Sequence, residues 1–258
     1  LFGNQSLTAQ LLLPELLTEG EANPTQSLSD GSKVDLGEAC DVLAVWDQAF
    51  NNESRGAVLF REWLTRYPYT ETYLGNTLFK NGFNPAKPAT TPNGLANPSD
   101  ALAKLAEATA MLEAAGFELD IALGELQRGH RLDEVFPVHG GNRHEGIANL
   151  QVTTTREDNP TETPVFTGSN DYIGDSESLS NSGYNIVHGS SFIMTLGYTD
   201  EGPEAEAILS YSQSGNPESP YFSDQTALYR DKTWRKILFK PEAIAAGAVS
   251  TRVLESTD

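Results

Sequence analysis

Apolar residues recur at helical spacing through the first half of the chain. Leucines predict a helix over residues 5–18, in which Ser6 is a candidate N-cap and Pro14 is expected to cause a kink. The strongest helical signal covers residues 99–115, where Ala and Leu dominate. The same pattern predicts three further helices, over residues 36–49, 54–67 and 118–127.

Polar segments separate these predicted helices. Residues 19–35 are rich in Gly, Ser and Asp and predict a loop. Residues 81–98 contain four prolines and two glycines and predict irregular structure. Residues 155–183 are rich in Asn, Asp, Ser and Thr, which predicts a long excursion on the surface.

The last third of the chain alternates between larger apolar residues and their neighbours. This period of two predicts a strand over residues 192–198. Further strands are predicted over residues 205–212, 234–239 and 250–254. Helices come first and strands last, so the pattern predicts an α+β arrangement, mainly helical over residues 1–130 and mainly strands and loops over residues 131–258.

Charge and cysteine content narrow the function classes. The 258 residues include 36 acidic and 17 basic side chains, a formal charge of -19, which disfavours nucleic acid and anionic lipid as partners. No apolar run approaches the roughly 20 residues of a membrane span. The single cysteine, Cys40, excludes an intrachain disulfide and lies in an apolar pattern typical of a packed side chain.

Histidines are the first candidates for chemistry. His139, His144 and Glu145 suggest a metal site, but the spacing of five and the paired glycines favour a turn that exposes polar groups. His188 stands close to Ser190 and Ser191, yet neighbours on a strand point to opposite faces and no nucleophile-elbow motif is present.

Carboxylates give no clear constellation either. Asp47, Glu125 and Asp224 are scattered, and no spacing pairs them. The acidic residues of 157–177 suggest calcium, but they lack the spacing of an EF-hand. The residues by themselves therefore predict an acidic α+β domain without a self-contained catalytic group.

A longer motif carries a family resemblance. Residues 211–239 read YSQSGNPESPYFSDQTALYRDKTWRKILF, with a Gln-Ser-Gly turn followed by Asn-Pro, Ser-Pro and Asp-Gln. This segment resembles the terminal motif of the acylases that remove acyl chains from penicillins, acyl-homoserine lactones and lipopeptides. Four other segments match that family in the same order, at residues 2–17, 39–63, 123–141 and 187–214.

The resemblance implies that residues 1–258 form the C-terminal portion of the acylase β subunit, part of an Ntn-hydrolase αββα sandwich. The nucleophile in that family is the N-terminal serine of a self-processed β chain, activated by its own α-amine. Leu1 has no nucleophilic atom, so we expect that serine to lie outside this chain. The expected partners are the α subunit, the N-terminal part of the β subunit and a small N-acyl substrate.

The resemblance places one candidate site residue in this chain. Asn4 matches the asparagine that donates to the oxyanion; the alternative is that Asn4 caps the helix over residues 5–18. No cofactor is expected, and any calcium ligands of the family lie mostly outside this chain. The resemblance further implies a periplasmic or secreted location.

Two departures and two alternatives accompany the resemblance. Many relatives carry a second cysteine before the one that matches Cys40, and this chain lacks that second cysteine. Relatives also often have His at the position of Tyr221. The Tyr-Ser-Gln-Ser sequence at 211–214 favours lipid-amide acylases over penicillin G enzymes. The first alternative is a non-catalytic truncated or proteolysed fragment, and the second is a carbohydrate- or protein-binding module.

Overall fold

The computed structural model describes residues 3–68, 77–153 and 172–253, and the statements below concern these residues. The chain divides into two compact units, residues 1–190 and residues 191–258. None of the helices in the described residues is long and apolar enough to span a membrane.

Four helices build most of the first unit: α1 (Leu7–Ala22), α2 (Gly37–Val45), α3 (Ala57–Leu64) and α4 (Pro98–Ala114). The Ser6 hydroxyl caps α1 by accepting the Ala9 N–H, so the alternative that Asn4 caps this helix is wrong. The helix continues beyond Pro14 and ends four residues later than predicted. Its buried leucines pack into the core that α2, α3 and α4 share.

Two segments predicted to be irregular contain short hairpins. β1 (Thr25–Ser27) pairs with β2 (Lys33–Asp35), and β3 (Phe79–Asn81) pairs with β4 (Asn93–Leu95). The prediction missed them because each strand has only three residues, too few to show a period of two.

The helix predicted over residues 118–127 is mostly absent. It is reduced to α5 (Leu123–Leu126), and the chain then enters β5 (Gln127–Arg131). β5 pairs antiparallel with β6 (Glu134–Pro137) and parallel with β9 (Gly183–Gly189). These tertiary strand pairings override the local helical pattern.

The sheet of the first unit has five strands. Its order is β6-β5-β9-β7, where β7 spans Gln151–Thr153, and β8 (Leu179–Ser180) pairs with β9 outside this path. Residues 172–183 are the described part of the segment predicted as a surface excursion. Ile173 and Leu179 within it are buried, so this part belongs to the core and leads into the sheet. The remainder, residues 154–171, lies outside the described residues.

The second unit contains a three-stranded antiparallel sheet: β10 (Phe192–Thr199), β11 (Gly202–Leu209) and β12 (Arg235–Ile237). Helices α6 (Asp224–Arg230) and α7 (Pro241–Gly247) complete it. The three strand predictions over residues 192–239 are confirmed. Residues 250–253 are exposed and not in a strand, which corrects the fourth, because no described strand pairs with them. The α+β class is confirmed.

Candidate functional site

Asn4 lies in a buried turn just before α1. Its backbone is left-handed, with φ of 46°, a conformation that Asn tolerates better than most residues. Its side chain is buried, and its carbonyl accepts a hydrogen bond from Phe50 N–H over 2.9 Å. The turn is therefore fastened to the loop that precedes α3.

The Asn4 amide donates to two acceptors inside the protein. Its Nδ2 atom lies 2.9 Å from Oδ1 of Asn51 and 2.9 Å from Nδ1 of His139. Both N–H groups of this amide are thus directed at side chains of the same unit. The structure brings together a predicted oxyanion residue and a histidine that are 135 positions apart.

Asn149 closes the network. Its Nδ2 atom donates to Oδ1 of Asn4 over 3.0 Å and lies 3.2 Å from Nδ1 of His139. Because two amide groups direct N–H bonds at Nδ1, this ring nitrogen acts as the acceptor, and the proton of a neutral His139 lies on Nε2. The network therefore selects one tautomer of a fully buried imidazole.

The glycines after His139 allow the turn to approach Asn149 closely. Gly140 has a φ of +114°, and a Cβ placed there would lie 2.7 Å from the Asn149 carbonyl oxygen. The Gly140 N–H donates to the Phe50 carbonyl over 2.8 Å. Glycine is required at this position by both the backbone conformation and the lack of space.

A second buried network supports the same turn from α3. The Arg61 guanidinium donates to both carboxylate oxygens of Glu145, over 2.5 and 3.2 Å, and to Oε1 of Gln127 over 2.7 Å. Gln127 in turn donates to the carbonyls of Val138 and Gly140. The charged pair is therefore linked by one side chain to the backbone on either side of His139.

Arg61 lies between two aromatic rings, with its guanidinium carbon 5.0 Å from the Phe50 ring centre and 4.7 Å from that of Tyr184. The Tyr184 hydroxyl donates to the Glu62 carboxylate over 2.6 Å. Burial raises the pKa of Glu62, and the hydrogen bond from Tyr184 opposes that shift. Aromatic faces and hydrogen bonds thus replace water around these buried charges.

The predicted turn at residues 139–145 is present, but it is not a turn that exposes its polar groups. His139 and Glu145 are fully buried, each in one of the two networks. Burial also lowers the pKa of His144. Among the described residues, no three His, Cys, Asp or Glu side chains are grouped so that they could hold a metal ion.

The other sequence candidates occupy separate places. His188 is exposed on β9, while the Ser190 hydroxyl accepts the Leu150 N–H. Asp47 accepts from the Ser54 hydroxyl and from a backbone N–H, which is a structural role. Cys40 is half-buried and packs against the core, where burial raises the pKa of its thiol.

The terminal motif acts as an internal brace of the second unit. The Ser212 hydroxyl accepts the N–H groups of Gln225 and Thr226 at the start of α6, over 2.9 and 3.1 Å. The Gln225 side chain accepts the Leu209 N–H at the end of β11. Ser212 has a φ of 61°, so its strained backbone is maintained by these contacts.

Sequence reasoning missed the residues of the second network. Arg61, Glu62, Gln127 and Tyr184 were not candidates. One signal was present: α3 reads AVLFREWL, in which an Arg-Glu pair interrupts an apolar helix that is buried on all sides. Charges in such a helix must find partners, because an unpaired buried charge is too costly.

Comparison with known proteins gives one family and several relatives. The model of the family described as penicillin amidase matches residues 1–246. Aculeacin-A acylase of Actinoplanes utahensis is 31% identical over 246 residues, covering 95% of this chain and 27% of that protein. Acyl-homoserine lactone acylase PvdQ of Pseudomonas syringae pv. syringae (strain B728a) is 28% identical, covering 94% of this chain and 28% of that protein.

A similar solved structure is a thermostable penicillin G acylase from Alcaligenes faecalis. It is 16% identical, with a TM-score of 0.43, and the match covers 99% of this chain and 48% of that one. The chain thus spans little more than a quarter of the length of the two relatives above.

Proposed function

Because this chain belongs to the penicillin amidase family, we propose that it is part of an amide hydrolase that removes acyl groups from N-acyl compounds. The observation that carries this proposal is the family match over residues 1–246, which includes both buried networks and the terminal motif. The 31% identity to aculeacin-A acylase supports it.

In this proposal the chain works together with further acylase polypeptide. The reaction transfers the acyl group to a serine outside this chain and then releases it to water. The chain contributes a rigid frame, since both networks connect segments that are distant in sequence. Its coverage of about a quarter of its relatives is consistent with such a share. A periplasmic or secreted location stays a prediction.

We further propose that the substrate is a lipid amide, such as an acyl-homoserine lactone or a lipopeptide. The Tyr-Ser-Gln-Ser sequence at residues 211–214 favours the lipid-amide acylases. The two relatives named for an activity on aculeacin A and on acyl-homoserine lactones agree with this choice. Penicillins are the competing substrate class.

The oxyanion role of Asn4 stays a prediction. To donate to a substrate oxygen, the Asn4 amide would have to release either Asn51 or His139, the two acceptors that it now faces. The Asn4 amide therefore has a fixed orientation, but both of its N–H groups are already hydrogen-bonded within the protein. The network therefore supports a positioning role for Asn4 at least as directly as a donor role.

The proposal is tested by assaying the chain alone and with the polypeptide encoded directly upstream of residue 1. The substrates are a long-chain acyl-homoserine lactone, a lipopeptide and penicillin G, and chromatography measures the released amine. We expect hydrolysis only when both polypeptides are present, with the two lipid amides preferred.

An intact mass spectrum of each preparation is the control. If a sample that contains only the 28.0 kDa species cleaves a substrate, the nucleophile does not lie outside this chain. If the combined sample binds but cleaves none of the substrates, the chain is a non-catalytic fragment, the first alternative from the sequence. That result would refute the proposed activity.

A further inference from the structure

The sheet of the second unit has two chemically different faces. In the antiparallel register Ile193 pairs with Ile208, and both side chains are buried. Their sheet neighbours on the same face include Thr195 and Glu206, which are polar. This face therefore has the pattern of a small core with a polar rim.

The opposite face is mostly apolar and exposed, and its charged member is Arg235 of β12, which pairs with Ala207. The β10 side chains on it have exposed fractions that are high for large apolar residues: Phe192 57%, Met194 43%, Leu196 50% and Tyr198 81%. Their pairing partners on β11 include the small residues Ala205 and Ala207. Ile237 of β12 pairs with Ala205 and adds a side chain that is 42% exposed. We name this set of side chains the β10 face.

An exposed face of this kind needs a partner. Single exposed apolar residues are ordinary, but a contiguous apolar patch on a sheet marks an interaction surface. In the described residues β10 pairs only with β11, so it is also an edge strand, and edges left open normally carry charges. The side chains of β10 include no charge at all.

We propose that the β10 face is the docking surface for the acylase polypeptide that this chain does not span. This inference rests on the proposed function. The relatives have nearly three quarters of their length outside the match, so a covalently or non-covalently joined partner of sufficient size is implied. The segment that docks must itself be mainly apolar, because β10 offers no charge and the face has a basic side chain only at Arg235 of β12 among the described strands.

A second copy of this chain is a poorer occupant. Each copy carries a formal charge of -19, so two copies brought together repel one another. Arg235 of β12 is the basic residue that the sheet register places on this face, and one positive charge per copy is too little to offset that repulsion. The partner is therefore a different polypeptide with an apolar strand or helix face.

Oxidation by hydrogen peroxide tests the proposal, because the chain has two methionines in contrasting places. Met194 lies on the β10 face and is 43% exposed, whereas Met111 in α4 is 8% exposed. In the chain alone we expect Met194 to be oxidised much faster than Met111. After assembly with the upstream polypeptide, its rate should fall toward that of Met111.

Two lysine substitutions on adjacent residues provide a matched pair. Leu196→Lys puts a charge on the β10 face, while Thr195→Lys puts the same charge on the other face, opposite Glu206. We expect Leu196→Lys to weaken assembly by about 100-fold or more, because docking would bury an unpaired ammonium. Thr195→Lys should assemble normally. Equal circular dichroism of both variants controls for folding.

The outcomes separate this inference from the proposed function. If a complex forms and hydrolyses substrate while Met194 stays reactive, the docking surface is wrong and the function stands. If no complex forms, both are wrong. If Met194 is already protected in the chain alone, with a dimer in size-exclusion chromatography, a second copy occupies the face and the proposal is overturned.

Discussion

The Arg61 Nε atom lies 2.5 Å from Oε1 of Glu145, and each side chain is only 1% exposed. The pair joins α3 to the 3-10 turn at Arg143–Glu145, 84 positions along the chain. Glu145 also accepts the Asn142 N–H, which completes a capping box at that turn. One carboxylate therefore links the turn at residues 142–145 to α3.

Removing the charge of Glu145 should destabilise the protein strongly. Glu145→Gln leaves the Arg61 guanidinium buried without its counter-charge, which typically costs about 3–5 kcal/mol. Urea denaturation measures the free energy of unfolding. Glu118→Gln, at an exposed position, is the control and should change it by less than about 0.5 kcal/mol. Similar values for both variants would mean that the ion pair contributes nothing to stability.

Glu62 should make stability depend on pH. Burial raises its folded-state pKa above the usual value of 4.5, so the folded state holds this proton more tightly than the unfolded state. Its contribution to stability is complete below pH 4.5 and is lost as pH rises toward the raised pKa. Glu62→Gln keeps an acceptor for the Tyr184 hydroxyl and does not ionise.

The difference in unfolding free energy between Glu62→Gln and the unsubstituted protein should therefore grow in favour of the variant as pH rises from 4.5. Urea denaturation at a series of pH values gives this difference directly. Taking the difference removes the effect of all other carboxylates. A difference that stays constant with pH would show that Glu62 has an ordinary pKa.

Two glycines separate backbone strain from lack of space. Gly116 has a φ of +80° with nothing near its missing Cβ, so Gly116→Ala should cost about 1–2 kcal/mol from the left-handed backbone alone. Gly140→Ala should cost about 1–3 kcal/mol more, because its Cβ meets the Asn149 carbonyl oxygen at 2.7 Å. Thermal unfolding compares the two. Equal losses would indicate that the turn yields without disturbing Asn149.

Asn4 and Asn149 allow the positioning and donor roles to be distinguished. Asn4→Asp replaces the Nδ2 donor by an acceptor that faces Asn51 and His139, and should destabilise folding by about 1–3 kcal/mol. Asn149→Asp disturbs the same network from its other side. Both variants should reduce stability by similar amounts.

Activity of the assembled enzyme then decides the role of Asn4. Replacing a residue that donates to the oxyanion should lower kcat by about 10²–10³, with little change in KM. If Asn4→Asp lowers kcat far more than Asn149→Asp at equal stability, the oxyanion prediction is supported. Equal effects on kcat would assign Asn4 to positioning.

Local features of the sequence were sufficient for the long regular elements. The helix predicted over residues 99–115 is α4 (Pro98–Ala114), because its apolar spacing and its cap are local; the cap is Asn97, whose side chain accepts the Asp100 N–H. The alternation over residues 192–198 predicted β10 for the same reason. The ordered set of motifs identified the family, and the match over residues 1–246 confirmed it.

Contacts between distant residues decided the rest. The segment that begins at Gln127 is a strand because β6 and β9 pair with it, and the local pattern contains no information about either partner. The same holds for Asn4 with His139 and for Arg61 with Glu145. A buried polar group is stable only where partners with matching geometry surround it. Those partners come from different elements, so packing rather than local pattern determines this site.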